Sequence, residues 1–316
     1  MRCRLVTESD MDDCLALAHN DFYDDLDMHY KMPAIWTAML RAGTLHGGII
    51  EDVTAPPEER VQALTLAIYV EDGFVDDYFR HPVPGISKRV YENQLAGHSP
   101  ALTPRALRRA NGGAGVNLLF LHTGTRHYEP QDPQAAQIGV AVREMVVLLH
   151  AGYRTRLILQ EVLGPVARGA LQTCGYNLLH DFRSYFEAHG GPPPPDQHPY
   201  LFGADSNSAQ AGNPMLMFFY PSAPSFGFSD QQQTLLLHAL FNENDDQIAA
   251  LLGISVETVR KHWRAIYERV ANVAPGFFPD DNTEPARGPG KRSHLLNFLR
   301  YRPEELRPPP NGSDYR

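Results

Sequence analysis

An α/β (or α+β) N-terminal domain followed by an all-α C-terminal domain is the fold class this sequence predicts, and three observations predict it. Over residues 1–187, short apolar runs alternate with segments of helical periodicity. Around 188–214 the chain turns to proline, glycine and small polar residues, with four successive prolines at Pro192–Pro195 that cannot be helical and favour an extended spacer. Between Ser229 and Val270, three helix-start signals fall within 27 positions.

Taken in order, Arg2–Val6 reads as a strand. Glu8–Ala18 reads as a helix from its apolar positions Met11, Cys14, Leu15 and Leu17. Gly48–Val53 and Ala63–Val70 read as strands, and Glu71-Asp72-Gly73 as a hairpin turn with Phe74–Phe79 returning. Ile86–Leu95 is a helix, Arg105, Arg108 and Arg109 share a solvated helix face, and Val116–His122 is an apolar strand. Pro133–His150 is a long helix with Pro133 tolerated in its first turn. Leu157–Val162 is a strand, Gly164–Thr173 a helix closed by Gly175, and Asn177–Phe186 a last strand. The expected organisation is a domain at 1–187, a linker at 188–227, a helical domain at 228–307 and a flexible tail at 308–316.

The 316 residues carry 28 Lys+Arg against 37 Asp+Glu, a net charge of −9, which argues against indiscriminate nucleic-acid binding. The charge is uneven: residues 255–270 hold four basic and two acidic groups, and 286–307 hold six and two. No run approaches the roughly 18 apolar residues of a membrane span, and the N-terminus does not resemble a signal peptide. Three cysteines without a short spacing suit a reducing cytoplasm and offer no metal set.

The stretch from Ser229 to Val270 carries the most specific pattern. Ser229-x-x-Gln232 and Asn244-x-x-Gln247 are capping boxes, and Ser255 follows the Gly253-Ile254 break to start a third helix. Leu235, Leu236 and Leu240, then Ile248, Ala249, Leu251 and Leu252, then Val259, Trp263 or Ile266, and Val270 form the inward stripe, the punctuation of a helix-turn-helix. Outward on the third helix lie Glu257, Thr258, Lys261 and Arg264, with Arg260 and Arg269 flanking. Lys261 and Arg264 suit guanine edges, while the hydroxyls and Arg269 suit phosphates. Here the segment resembles the LuxR-type (GerE-like) helix-turn-helix. The family's helix-two core appears as Gln247-Ile248-Ala249-Ala250-Leu251-Leu252-Gly253-Ile254-Ser255. Its recognition helix appears as Thr258-Val259-Arg260-Lys261-His262-Trp263-Arg264-Ala265-Ile266-Tyr267-Glu268-Arg269-Val270. Gln231 and Gln232 depart from the family's charged pair, and the fourth helix, Lys291–Arg300, comes after an insertion. The resemblance implies a homodimer on double-stranded DNA, read by Ser255, Glu257, Thr258, Arg260, Lys261, His262, Arg264 and Arg269.

The N-terminal element order, with Ala167-Arg168-Gly169-Ala170-Leu171-Gln172-Thr173-Cys174-Gly175-Tyr176, resembles the GNAT acetyltransferase fold. That family cradles a pyrophosphate in a glycine-rich turn before its central helix, where backbone N–H groups approach the phosphates. The matching stretch, 126–133, has no glycine, two prolines and two acids. The expectation is therefore a sensor domain without transferase activity, catalytic residue or cofactor, binding a small-molecule or protein signal near His122, Arg126, His127 and Tyr128. The whole chain then reads as a bacterial transcription regulator, with a GNAT-like N-acyltransferase bearing an accessory helical domain as the alternative.

Overall fold

The computed structural model describes residues 1–18, 25–127, 131–207, 212–279 and 290–308. Tyr128 and the tail beyond 308 fall outside these. In chain order, β1 (Arg2–Leu5) precedes α1 (Met11–Leu17), α2 (Leu26–Arg41), β2 (His46–Glu51) and β3 (Val61–Val70). Then come α3 (Asp72–Arg80), α4 (Ile86–Leu95), α5 (Pro104–Gly112), β4 (Val116–Thr125), α6 (Pro133–His150) and β5 (Thr155–Leu163). α7 (Gly164–Thr173), β6 (Asn177–His180), α8 (Arg183–Ala188) and β7 (Pro199–Asp205) follow. The chain ends in α9 (Asp230–Leu240), α10 (Asp245–Leu252), α11 (Val256–Val273) and α12 (Lys291–Arg300).

The seven strands form one sheet in the order β1-β2-β3-β4-β5-β7-β6, antiparallel throughout except for the β4/β5 pair. This is the mixed α/β architecture expected of the N-terminal part. Strand β3 is buried at all ten positions, because helices cover both of its faces. Its side chains alternate: Leu64, Leu66 and Ile68 face α1, α2 and α4, while Ala67 and Tyr69 face the opposite layer with Leu107 of α5 and Ala151 just past α6.

Three expectations are corrected. Phe74–Phe79 does not return as a strand but lies in helix α3: Val75 and Tyr78, three apart, are the residues it buries, and Tyr78 donates to the Val83 carbonyl at 2.7 Å. Asn177–Phe186 is a strand only to His180, after which Asp181 leads into α8. The expected linker, 188–227, contains β7, which is paired along its length with β5 and on its other side with β6. A strand so enclosed is part of the sheet, so the proline run ends an excursion within the α/β unit rather than the unit itself.

The helix starts read at Ser229, Asn244 and Ser255 are all present. Ser229 and Gln232 close one capping box, Asn244 and Gln247 another, and Ser255 accepts from the Thr258 amide at 3.1 Å. Gly253 ends α10 at φ +63, the left-handed value that favours glycine at a helix C-terminus. The helices are not a separate body on a tether. Leu235, Ile248, Val259, Ile266 and Leu295 belong to one continuous apolar cluster with Ile138 and Met145 of α6 and Ile50 of β2.

The returning C-terminal segment fastens the two layers. The buried Arg307 guanidinium donates to the Ala151 and Leu148 carbonyls (2.9 and 2.5 Å), satisfying the end of α6, and stacks on Tyr153. Gly152, at φ +90, lies so close that a Cβ there would meet the Glu304 amide at 2.5 Å. The fully buried Glu305 carboxylate accepts from the Ser225 and Phe226 amides at 2.8–2.9 Å. Among the described residues no helix is long and apolar enough to cross a membrane, and no group of three or more metal-ligating side chains is found.

Beneath Arg307, Tyr69 hydroxyl and His150 Nδ1 are 3.2 Å apart, and His46 packs on Tyr69. Burial, with the nearby Arg307 charge, lowers the His46 pKa to about 4; for His150 burial, then His46 and Arg307, lower it well below the usual range. Both rings are neutral in the fold, whereas in the unfolded chain they protonate near pH 6.5. Stability is therefore fully present above about pH 6.5 and falls below it, by up to about 1.4 kcal/mol per pH unit for each histidine. Thermal melts should show Tm dropping by several degrees between pH 7 and 5, with a shallower drop in His46→Gln; an unchanged slope in that variant would contradict the assignment.

Candidate functional site

The one parallel pair in the sheet does not stay paired. β4 and β5 pair from Val116/Thr155 to Phe120/Gln160, with a shift of register after Val116, and beyond those residues each strand continues with its other neighbour only. On the β3 side, Leu66 faces His122 and Ala67 faces Phe120, so Leu121 has no partner residue: it is a β-bulge. The bulge sits where β4 leaves β5, and past it the carboxyl ends of the two strands are no longer paired with each other. Exposure follows the same line. β4 is buried from Val116 to His122, Thr123 is exposed, and the last three residues of β5 are half-buried.

The bulge also decides where His122 points. Leu119 and Leu121 face the α1/α2/α4 layer, and strict alternation would send His122 the other way. The extra residue turns it back to the same layer, where it is 4% exposed. There, His122 Nε2 lies 2.8 Å from the Tyr91 hydroxyl, which accepts the Trp36 indole N–H at 2.8 Å. Tyr91 stacks on the imidazole at an interplanar angle of 11°, and Trp36 meets it edge-on.

The start of α4 bridges the parted strands. Ser87 Oγ donates to the Leu121 carbonyl at 2.9 Å, taking up the backbone group at the bulge. The Gly85 amide donates to the Glu161 carboxylate of β5 at 2.8–3.0 Å, and the Ile86 amide at 3.4 Å. A carboxylate at a helix start is the sign the helix dipole favours. Gly85 has φ +89, where a side chain is strained.

The other expected ligand residues are not gathered here. Arg126 donates to the Val61 and Glu58 carbonyls, both at 2.7 Å, tying β4's exit to the β2–β3 connection. His127 pairs with Asp132 at 2.8 Å. Asp132 in turn caps α6, its carboxylate accepting from the Gln134 amide at 2.8 Å. A pyrophosphate does not fit this helix start. Pro133 offers no N–H, the next amide is taken by Asp132, and that carboxylate would oppose the phosphate charge.

On α11, Ser255 and Thr258 hydroxyls lie 2.9 Å apart within the cap, and Arg264 is paired with Glu257 at 2.9 Å. Arg269 donates to the Gly227 carbonyl at 2.9 Å, so it anchors the chain before α9. Arg260 and Lys261 are exposed and His262 is half-buried. Trp263 is buried, with Arg292 over its ring at 4.6 Å. The residues that matter where the strands part were mostly missed by sequence reading: Trp36, Tyr91, Ser87 and Glu161 are 86, 31, 35 and 39 positions from His122 in the sequence.

No family model matches this chain, and no curated protein does. Solved structures similar to it cover its α/β part. The C-terminal condensation domain of Ebony, in complex with beta-alanyl-dopamine, has 13% identity and a TM-score of 0.39, over 65% of this chain and 100% of that one. A putative arylalkylamine N-acetyltransferase from the yellow fever mosquito has 9% identity and a TM-score of 0.39, over 65% of this chain and 86% of that one. Drosophila melanogaster polyamine N-acetyltransferase, which forms N-acetylagmatine, has 14% identity and a TM-score of 0.36, over 64% and 98%. The expectations of a LuxR-type transcription regulator and of a chain without enzymatic activity are corrected: the solved structures it is similar to include N-acetyltransferases, and no comparison returns a helix-turn-helix family. The structure accounts for the misleading pattern, since caps and an apolar stripe also serve helices that pack on a sheet.

The α4 bridge yields a test of its own. Gly85→Ala imposes about 1–2 kcal/mol of left-handed strain. Urea denaturation should show that loss, and the Trp36 emission maximum should shift as the α4 layer loosens; a variant of unchanged midpoint and emission would contradict the bridge.

Proposed function

We propose that this chain is an N-acyltransferase of the GNAT-like fold, joining an acyl group from a thioester to a primary amine where β4 stops pairing with β5. The observation that carries the reading is the bulge at Leu121, which falls where β4 stops pairing with β5 and turns His122 to the layer of α1, α2 and α4. Open α/β sheets bind ligands at the carboxyl ends of parallel strands where neighbours diverge.

His122 is the base in this reading. The amine nitrogen attacks the thioester carbonyl carbon, the C–N bond forms, and the proton released from the amine passes to the imidazole. The C–S bond then breaks and the thiol leaves, taking up a proton. Tyr91, stacked on the ring and bonded to Nε2, is a positioning residue, and Trp36 holds Tyr91. α4 covers the imidazole, so an acceptor gains access as the α4 start moves from the strand ends.

Thiol release from acetyl and longer acyl thioesters, measured with a panel of aromatic and aliphatic amines, tests the reading. His122→Gln should lower kcat by about 10²–10⁴-fold, the span of a positioned general base, with KM for the thioester little changed. Tyr91→Phe should lower kcat less and displace the pH profile. Full activity in His122→Gln would overturn the assignment of the base.

A further inference from the structure

We propose that His46 and His150 form an acid-operated latch: on taking up protons they make the C-terminal segment that carries Arg307 let go of the end of α6, while the sheet stays folded. The latch is independent of the acyl transfer proposed above. The first ground is where the charges lie. The Arg307 guanidinium is bonded to the carbonyls of Leu148 and Ala151, which flank His150 in the chain. It lies 4.8 Å over the Tyr153 ring, Tyr153 packs on Tyr69 at 4.8 Å between centroids, and the Tyr69 hydroxyl is 3.2 Å from His150 Nδ1. His46 meets Tyr69 at 5.1 Å and His150 at 6.5 Å, edge-on to both. The titratable or charged groups facing the imidazoles are each other, Tyr69 of β3, Tyr153 just past α6 and Arg307, with Arg108 of α5 acting on Tyr153. β4 contributes the apolar ring of Phe120, 5.4 Å from His150. On the segment itself, Arg302 pairs with Glu304 and lies 3.9 Å from Glu305.

The second ground is what a proton would meet. Nε2 of both rings is buried, and among the described residues neither has a hydrogen-bond partner. An imidazolium donates from both nitrogens, so a second acceptor is needed at each ring. The new charge would also stand beside a guanidinium already held in a buried place. Protonation therefore favours an arrangement in which Arg307 has left and the rings reach water. The segment is the element that can leave. β2 and β3 are each fixed by ladders on both sides, and His150 by its helix. The short turn Pro303–Leu306 belongs to no ladder. Besides the Arg307 bonds, side-chain bonds hold it: Glu305 to the Ser225 and Phe226 amides, and Gln233 and Asn111 to the Arg307 and Pro308 carbonyls. It lies against Gly152, two positions past His150, so its departure uncovers that corner.

Hydrogen exchange on the full chain, corrected for the intrinsic rate at each pH, reads the opening. An imidazole in water takes up its proton near pH 6.5, so each histidine should raise the opening constant about twentyfold between pH 7 and 5, and the two together about 400-fold. The Ser225, Phe226 and Arg307 amides should show that rise, with β3 amides at least about a hundredfold slower at each pH. His46→Gln combined with His150→Gln should flatten it. In the native chain, proton NMR should show both imidazoles titrating in step with the loss of protection. Exchange of the segment at the β3 rate would overturn the latch, since only global unfolding would then release it. A corrected rate that ignores pH would overturn it too. So would a rise that survives in the double variant, which would put the titration on Glu304 or Glu305, or an imidazole that titrates while Ser225 and Phe226 stay protected.

Discussion

A single extra residue in β4 is the constraint on which the site depends. Because Leu121 has no partner on β3, the strand bends there, the pairing with β5 ends one residue earlier, and His122 turns to the layer of α1, α2 and α4. A bulge leaves backbone groups to be satisfied elsewhere. Ser87 takes the Leu121 carbonyl, and on the far strand Glu161 takes the amides of Gly85 and Ile86. The start of α4 thus spans both strand ends with polar contacts, while Trp36 and Tyr91 surround the imidazole from α2 and α4. Site and fold are joined at that point: what ends the β4/β5 pairing also turns His122.

The opposite layer is organised around a buried cation. Arg307 satisfies carbonyls at the end of α6 and lies over Tyr153. Asn111 of α5 donates to the Pro308 carbonyl at 2.9 Å, and Gln233 of α9 to the Arg307 carbonyl at 2.9 Å. These bonds, with the Arg108–Asp230 ion pair, hold α9 and the C-terminal segment against the α/β layer. The helical part therefore supports α6, the helix that follows β4, and this places its contribution in stability and in the position of α6.

Much of the fold was legible. The uninterrupted apolar run of β3 and the capping residues Ser229, Asn244 and Ser255 marked elements that the structure contains. β7 was hidden because its flanking prolines read as linker, although its pairing partners lie far off in sequence. α3 was hidden because Asp72-Gly73 is a turn signal and its six following residues fit either period. The site was less legible than the fold. A bulge inside Val116–His122 leaves no mark when both alternating sets are apolar, and the network around His122 depends on residues from α2, α4 and β5. His122 itself was among the expected ligand residues, for its place at the end of an apolar strand, but its partners came only with the tertiary structure. From the composition of 126–133 the sequence reading drew a domain without transferase activity, which the N-acyltransferase reading replaces.

The central claim is that acyl transfer takes place beside His122, where β4 stops pairing with β5. The most direct measurement is a crystal structure with a thioether analogue of an acyl thioester, which cannot be cleaved. The account predicts that its acyl end lies beside His122. An analogue bound away from His122 would contradict it.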